Sequence, residues 1–513
     1  MINTIPYLVR NTQYDVLEVS KCRNTPAHIL INADNEDALT VLQETHKNSV
    51  DVIYIDPPYN TGTNEFAYRD RWETEDWKSF LRPRLLLAHS LLKETGVIMV
   101  SLDVSPKNTP AMWGMLNEIF GHQNFVAQQD WLGKSGGNDA SHVRQLHENI
   151  FIYAKNLYHF KSNRGYRLST NKDFPKVDEQ TGVRYYPQGL RQDGNNSEYK
   201  GTGNLRYPIT APDGTEVWPD KLDGTLGVWR MKREEYDRRN YDGNQFEFSQ
   251  RADGTWEIDE KKWWTEFKTV YNDSILDKDE VKATRHGTVL VNKMVGKGKF
   301  DYPKPIELLK HLIQFAGDKD AVVLDFFAGT GTTSHAVMSL NIQDGGSRQS
   351  IAITNNDMSE KIKRDLSKQG LQPGDAEWEK HGICLSATQP RLRAAITGEW
   401  ADGKKHSAIP ARLVYFDVET VDMLNEDGEP RSDASLVYEM SDKMAGIVSL
   451  AENTFDVTDS DEDYVVFNDS VCVSFDPYDS SVCDDYPIVY SDPTNYVNNV
   501  RASRQGVARY TER

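Results

Sequence analysis

Residues 50–62, Val-Asp-Val-Ile-Tyr-Ile-Asp-Pro-Pro-Tyr-Asn-Thr-Gly, constrain the fold more than any other stretch of the chain. Val52-Ile53-Tyr54-Ile55 is too short and too β-branched for a helix, so it predicts a buried strand. Asp56 then falls at the carboxyl end of that strand, where open α/β sheets place their ligands. Pro57 and Pro58 fix φ and carry no N–H, so the carbonyls beside them stay free to accept. Tyr59 adds a flat face. A carboxylate, a free carbonyl and a ring converging on one spot suit an exocyclic amine on a planar base: the acceptors hold the N–H groups and the ring stacks. A plain Asp-Pro-Pro turn explains the same residues equally well, because Asp and Pro are ordinary turn formers.

The flanks alternate strand and helix. Residues 28–43 predict a short strand, a turn and an amphipathic helix, with Asp34 or Asn35 at the junction as an N-cap or a ligand contact. Residues 77–93 carry apolar side chains at helical spacing, Gly96 ends them, and 97–103 is the next strand. A helix around 111–120 and a strand at 151–154 follow. This alternation argues a parallel sheet covered on both faces.

Residues 155–300 break the rhythm with five Asp-Gly turns (from Asp193-Gly194 to Asp253-Gly254) and predict a separate insert of short strands. Arg230, Lys232, Arg233, Arg238 and Arg239 interleave there with Trp229, Tyr236, Trp263 and Trp264, the types that read base edges and grip backbones. A solvated surface on a β-rich module accounts for any one of them. The formal net charge of −19 counts against a coat for phosphate backbones. It is unevenly spread, however. Residues 155–300 hold 26 basic and 23 acidic side chains, whereas residues 399–513 hold 9 and 24. The acidity belongs to the C-terminal part and leaves a nucleic-acid channel open elsewhere.

Residues 299–400 return to α/β. Tyr302-Pro303-Lys304-Pro305 enters a helix through proline. Residues 321–337 then give a strand, a tight turn at Gly329-Thr330-Gly331 and a helix start. The two glycines admit a ligand close to the backbone. The segment is neither a P-loop nor a full Gly-x-Gly-x-x-Gly, since Ser334 stands where the third glycine belongs. After the next strand, 350–354, Asn355-Asn356-Asp357 offers polar groups for ribose hydroxyls. The remainder, 401–513, predicts a small acidic α+β domain.

Several classes drop out. No 18-residue apolar run is present to span a membrane, and the first residues lack a signal-peptide pattern. Cys22, Cys384, Cys472 and Cys483 are scattered without a Cys-x-x-Cys pair, so neither a disulfide framework nor a zinc site is expected, and a cytoplasmic location follows. Asp459-Ser-Asp-Glu-Asp463 lacks the EF-hand spacing and reads as a solvated loop.

Together, Asp56-Pro-Pro-Tyr59 and Phe327-Ala-Gly-Thr-Gly331 resemble the catalytic and cofactor motifs of amino-group DNA methyltransferases. The catalytic motif comes first and the glycine turn roughly 270 residues later, which resembles the circularly permuted β group. Residues 56–62, 96–103, 147–155, 303–305 and 325–333 are similar to the modification subunits of type III restriction–modification systems. The resemblance implies a permuted Rossmann-like class I methyltransferase sheet formed by 1–155 and 299–400, a target-recognition insert at 156–298 and a C-terminal domain at 401–513. It implies transfer of a methyl group from S-adenosylmethionine to N6 of a flipped adenine in double-stranded DNA, with no metal. N4 of cytosine, or a DNA-binding specificity subunit docking a nuclease, is the alternative. Asp56 and the Pro57 carbonyl, followed by Pro58, would accept from the amine, and Tyr59 would stack. Asp325, Phe327, Gly329 and Gly331 would shape the methionine end of the cofactor site, flanked by Pro303 and Lys304. Asp34 would meet the adenine end and Asp357 the ribose. A homodimer and a restriction or defence partner are the implied assemblies. Where type III subunits place a Glu after a Leu-Pro pair, Asn355-Asn356-Asp357 stands here.

Overall fold

The computed structural model describes residues 4–17, 26–60, 74–134, 143–163, 165–194, 197–221, 223–265, 267–270, 272–461, 463–476, 483, 486, 488–490 and 493–501. Cys22, the Thr61-Gly62 end of the proline motif and Glu462 of the acidic loop lie outside them. The chain divides into two compact units, residues 1–163 with 272–513, and residues 164–271.

The larger unit is built on one sheet. Its strands are β1 (Thr4–Arg10), β2 (Val16–Leu17), β3 (Ala27–Asn32), β4 (Val50–Ile55), β5 (Leu92–Asp103), β6 (Phe125–Trp131), β7 (Glu148–Ala154), β8 (Ile275–Leu276), β9 (Val322–Asp325), β10 (Gln349–Thr354) and β11 (Arg412–Asp422). Their order is β1-β11-β3-β10-β9-β4-β5-β7-β6-β8, with β2 on β11. From β11 to β5 every neighbour is parallel, while β7 and β6 run antiparallel. Such strands must be apolar on both faces, and β4 and β7 are buried almost throughout.

Eight helices of this unit matter to the site: α1 (Asn35–Thr45), α2 (Thr74–Leu91), α3 (Asn108–Phe120), α4 (Thr284–Val295), α5 (Ile306–Ala316), α6 (Thr332–Asp344), α7 (Glu360–Lys368) and α8 (Gln389–Thr397). Most of them flank the sheet, while α4 packs on α8 and α7 packs through Leu366 on Met358 and Trp378. Trp77, Leu81, Leu85 and Leu116 join one buried layer. Leu308, Leu312, Val337 and Leu340 join another.

The sequence order of the strands is permuted, but the spatial result is an α/β Rossmann-like sheet. β4 leads outward to β5, and β9 leads the opposite way to β10. Because β4 and β9 are neighbours, with Val52 beside Val323 and Ile53 beside Leu324, the strand order reverses between them. A crevice opens at such a switch point outside the carboxyl ends.

The structure differs from the sequence-based domain reading in two places. Residues 272–298 belong to the larger unit, where β8 pairs with β6. Residues 401–513 do not stand apart either. Within them β11 is an interior strand between β1 and β3, and Leu436, Ile447, Tyr496 and Val500 enter the main core. The run Leu413-Val-Tyr-Phe416 carries that burial, but acidic neighbours obscured it. A separate four-stranded sheet is formed by Val457–Ser460, Tyr464–Phe467, Val471–Ser474 and Ile488–Tyr490. Cys472 of this sheet pairs with Cys483, with Cα atoms 5.7 Å apart. An eleven-residue separation carries no motif, so this disulfide was not legible beforehand. Cys384 is free and buried. Among the described residues, no helix is long and apolar enough to cross a membrane.

The unit of residues 164–271 has its own core of Leu190, Tyr207, Trp229, Tyr236, Phe246 and Ile258. Strands Phe246–Gln250, Trp256–Trp263, Arg184–Gly189 and Lys176–Val177 form an antiparallel sheet, and Arg233–Arg239 is a two-turn helix.

Candidate active site

The crevice between β4 and β9 is a cleft of about 910 Å³ within the larger unit. It is lined by Asp56, Pro57, Pro58 and Tyr59 after β4, by Asp325, Phe327 and Gly329 at the end of β9, and by Asp34, Asn355 and Asp357. Two segments separated by about 270 residues in sequence thus meet on neighbouring strands.

The proline corner is held from below. The Pro58 carbonyl accepts from the Trp77 indole at 2.9 Å, and Asn108 donates to the Tyr59 carbonyl at 2.8 Å. Among the described residues none donates to the Pro57 carbonyl, which remains an available acceptor. Asp56 Oδ1 accepts from the Tyr59 hydroxyl at 2.5 Å, and Asp56 Oδ2 from Lys304 Nζ at 2.6 Å. Lys304 also reaches the Tyr59 oxygen at 2.7 Å and Glu148 Oε2 at 3.3 Å. Its ammonium lies 5.1 Å from the Tyr59 ring centre. Burial pulls the Lys304 ammonium down, but Asp56 and Glu148 outweigh it and hold it above its ordinary range. Burial, then the same two carboxylates, push the Tyr59 phenol far up. The corner therefore contains two carboxylates, one ammonium and a neutral phenol, for a net charge of minus one.

Glu148 was not singled out from sequence. It opens β7, and its side chain is 8% exposed. The signal was a charged residue two positions before the apolar run Ile150-Phe-Ile-Tyr-Ala154, which a partnered buried carboxylate explains. Lys304, expected only to flank the cofactor, turns its charge onto the Asp56–Tyr59 corner.

On the neighbouring strand, Asp325 ends β9 and accepts from the Phe327 N–H at 3.0 Å and from the Thr333 hydroxyl. Burial pushes its carboxyl up to about 7, against the pull of those two hydrogen bonds. The sign of the linkage follows. The folded pKa exceeds the ordinary carboxylate value of about 4, so the stability from holding the neutral acid is complete below about pH 4 and lost as pH rises through 7. The melting temperature is expected to fall between about pH 5 and pH 8. Asp325→Asn should flatten that slope, and an unchanged slope in the variant would contradict the assignment.

The glycine turn needs glycine at both positions. Gly329 and Gly331 have φ of +50° and +75°, and a Cβ on Gly331 would lie 3.2 Å from Thr388 Cγ2. Asp34 is the N-cap of α1, accepting from Glu36 N–H at 2.8 Å, and pairs with Arg84 at 2.9 Å. Its Asn35 neighbour donates to the Phe326 carbonyl at 2.9 Å, tying α1 to the turn after β9. Asp357 lines the cleft but pairs with Lys363 at 2.8 Å, while Asn356 turns away to Glu379.

The five basic residues of the insert are mostly engaged. Arg230 pairs with Asp193, Arg233 with Asp237, and Arg239 with Glu235 and Glu260. Arg238 is 78% exposed with only a 4.0 Å contact to Glu235, and Lys232 is exposed. Among the described residues no His, Cys, Asp and Glu are grouped to hold a metal ion.

Comparison with known proteins agrees with this geometry. Residues 50–367 match the family described as DNA methylase. The chain is 32% identical over 386 residues to the Type III restriction-modification enzyme StyLTI Mod subunit of Salmonella typhimurium, covering 68% of this chain and 56% of that one. It is 30% identical over 371 residues to the Type II methyltransferase M.KpnI of Klebsiella pneumoniae, covering 68% and 86%. It is 28% identical over 397 residues to the EcoPI Mod subunit of Escherichia phage P1, covering 66% and 59%. The chain thus spans little more than half the length of the type III subunits it matches. A match from the catalytic strand through the glycine turn, with M.KpnI covered over most of its length, places the chain in the N6/N4 DNA methylase family.

Proposed function

We propose that the chain transfers a methyl group from S-adenosylmethionine to N6 of an adenine extruded from double-stranded DNA. The observation that carries this reading is the meeting of the Asp56–Tyr59 corner and the Gly329–Gly331 turn in one cleft. The residues present fit the cofactor: Gly329 and Gly331 take left-handed backbone that disfavours a side chain, a Cβ there would crowd Phe300 and Thr388, and Thr330 and Thr332 line the cleft beside them. Asp325, Phe327, Gly329 and Gly331 would hold the methionine end, and Asn355 and Asp357, which line the same cleft, would offer polar groups to the ribose. Asp34 is committed to Arg84 and to capping α1, so it acts at that end as a positioning residue.

When bound, S-adenosylmethionine supplies an electrophilic methyl group carried on a sulfonium. The protein has three tasks. Asp56 and the Pro57 carbonyl accept from the amine, favouring a localised lone pair on nitrogen. Tyr59 stacks on the base and offsets part of the extrusion cost. The corner's net negative charge receives the positive charge that reaches the nitrogen as the methyl arrives. Lys304 keeps that charge at minus one instead of minus two and fixes both carboxylates.

Incubation with duplex DNA and labelled cofactor, followed by digestion to nucleosides and mass measurement, tests this. N6-methyladenine is expected, N4-methylcytosine would overturn the base assignment, and no modified nucleoside would overturn the reading. Residues 164–271 are proposed as the target-recognition unit. Exchanging them for the corresponding unit of a relative is expected to move the methylated sequence, and an unmoved site would refute that role. The relatives named as type III Mod subunits support a restriction–modification setting, in which a homodimer and a restriction partner are part of the same proposal.

A further inference from the structure

Arg391, on α8, has no solvent exposure. Its Nη1 donates to the Thr330 and Thr332 hydroxyl oxygens, each at 2.6 Å. Nε and Nη2 have no acceptor among the described residues. Among the described residues no carboxylate pairs with it, and burial alone lowers the guanidinium to about 9, so it stays protonated at neutral pH. His335 beside it is pushed down to about 3, by burial first and then by the Arg391 charge, and is neutral. An isolated buried cation is costly unless something pairs with it.

The two threonines show where the pairing charge belongs. Both line the cleft on either side of Gly331. Each oxygen accepts from Arg391, so neither hydroxyl proton points at the guanidinium. The two oxygens lie 3.3 Å apart, so one proton can bridge them, and the other is left for the cleft. Thr332 also opens α6, a 13-residue helix whose first N–H groups favour negative charge. Thr388 and Leu392, from the same segment as Arg391, brace Gly329 and Gly331 from behind.

We propose that Arg391 is a positioning residue that supplies, through Thr330 and Thr332, the positive charge recognising the α-carboxylate of the cofactor's amino-acid end. This rests on the S-adenosylmethionine reading above and adds a residue about 60 positions beyond the glycine turn.

Calorimetric titration of the full chain with S-adenosylmethionine and with its decarboxylated form isolates the carboxylate. The wild type is expected to prefer the carboxylate form by on the order of 10- to 100-fold, the scale of a hydrogen bond to a charged group. In Arg391→Met the preference should fall below about threefold, while affinity for the decarboxylated form stays within about twofold. Thr330→Val combined with Thr332→Val, which preserves shape and removes both relaying hydroxyls, carries the same expectation if Arg391→Met does not fold. An unchanged preference in either variant, or equal loss of both ligands, overturns the proposal. A wild type that binds neither ligand would instead overturn the cofactor reading itself.

Discussion

Asp56→Ala is expected to lose methyl transfer by about three orders of magnitude while its affinity for S-adenosylmethionine changes only a few-fold. Removing one preorganised polar group from a reacting centre costs roughly 10²–10³ in rate. Asp56 has a further part in the charge of the corner. Its loss leaves Lys304 against Glu148 alone, so the net charge facing the reacting nitrogen goes from minus one to zero. The cofactor end is insulated from this change, because the glycine turn is braced by α8 and the Asp325–Thr333 contact rather than by the proline corner. Single-turnover rates with saturating DNA, beside direct cofactor titration, separate the two effects. A variant within tenfold of wild-type turnover would remove Asp56 from the reaction.

The sequence carried the two motifs because each is local. A strand ending in Asp-Pro-Pro-Tyr and a strand ending in a glycine turn are fixed by residues within a dozen positions. Their adjacency is a tertiary fact, and only the family resemblance made it available in advance. What sequence did not carry depends on partners far along the chain. Lys304 finds Asp56 across 248 residues and Glu148 across 156, and no spacing rule reports such a pairing. Arg391 carries no signal in the sequence, because its burial is set by how α8 packs behind the turn. The acidic composition of 401–513 pointed to a separate domain and hid β11. Net charge reports the surface of a segment, whereas a central parallel strand is declared by only a few apolar residues in a row.

Lys304→Met is the complementary test, and its effect should fall on stability as well as on rate. Lys304 and Glu148 are each less than a tenth exposed at the side chain, so solvent screens their interaction little. Taking away the cation leaves two carboxylates and a phenol converging on one buried spot with nothing to balance them. Breaking a buried ionic group in this way typically costs about 3–5 kcal/mol. The urea midpoint of the larger unit should fall accordingly with an unchanged slope. Removing the second charge should relieve the strain: Lys304→Met with Glu148→Gln is expected to recover about 1–3 kcal/mol relative to the single variant, a coupling measurable in a double-mutant cycle. Turnover should not recover with it, since the corner then carries the carboxylate of Asp56 but no ammonium to orient it. A single variant destabilised by less than about 1 kcal/mol would mean that the ammonium is solvated in solution and does not anchor the corner. In that case the charge balance proposed for the methyl-transfer step would have to be drawn without it.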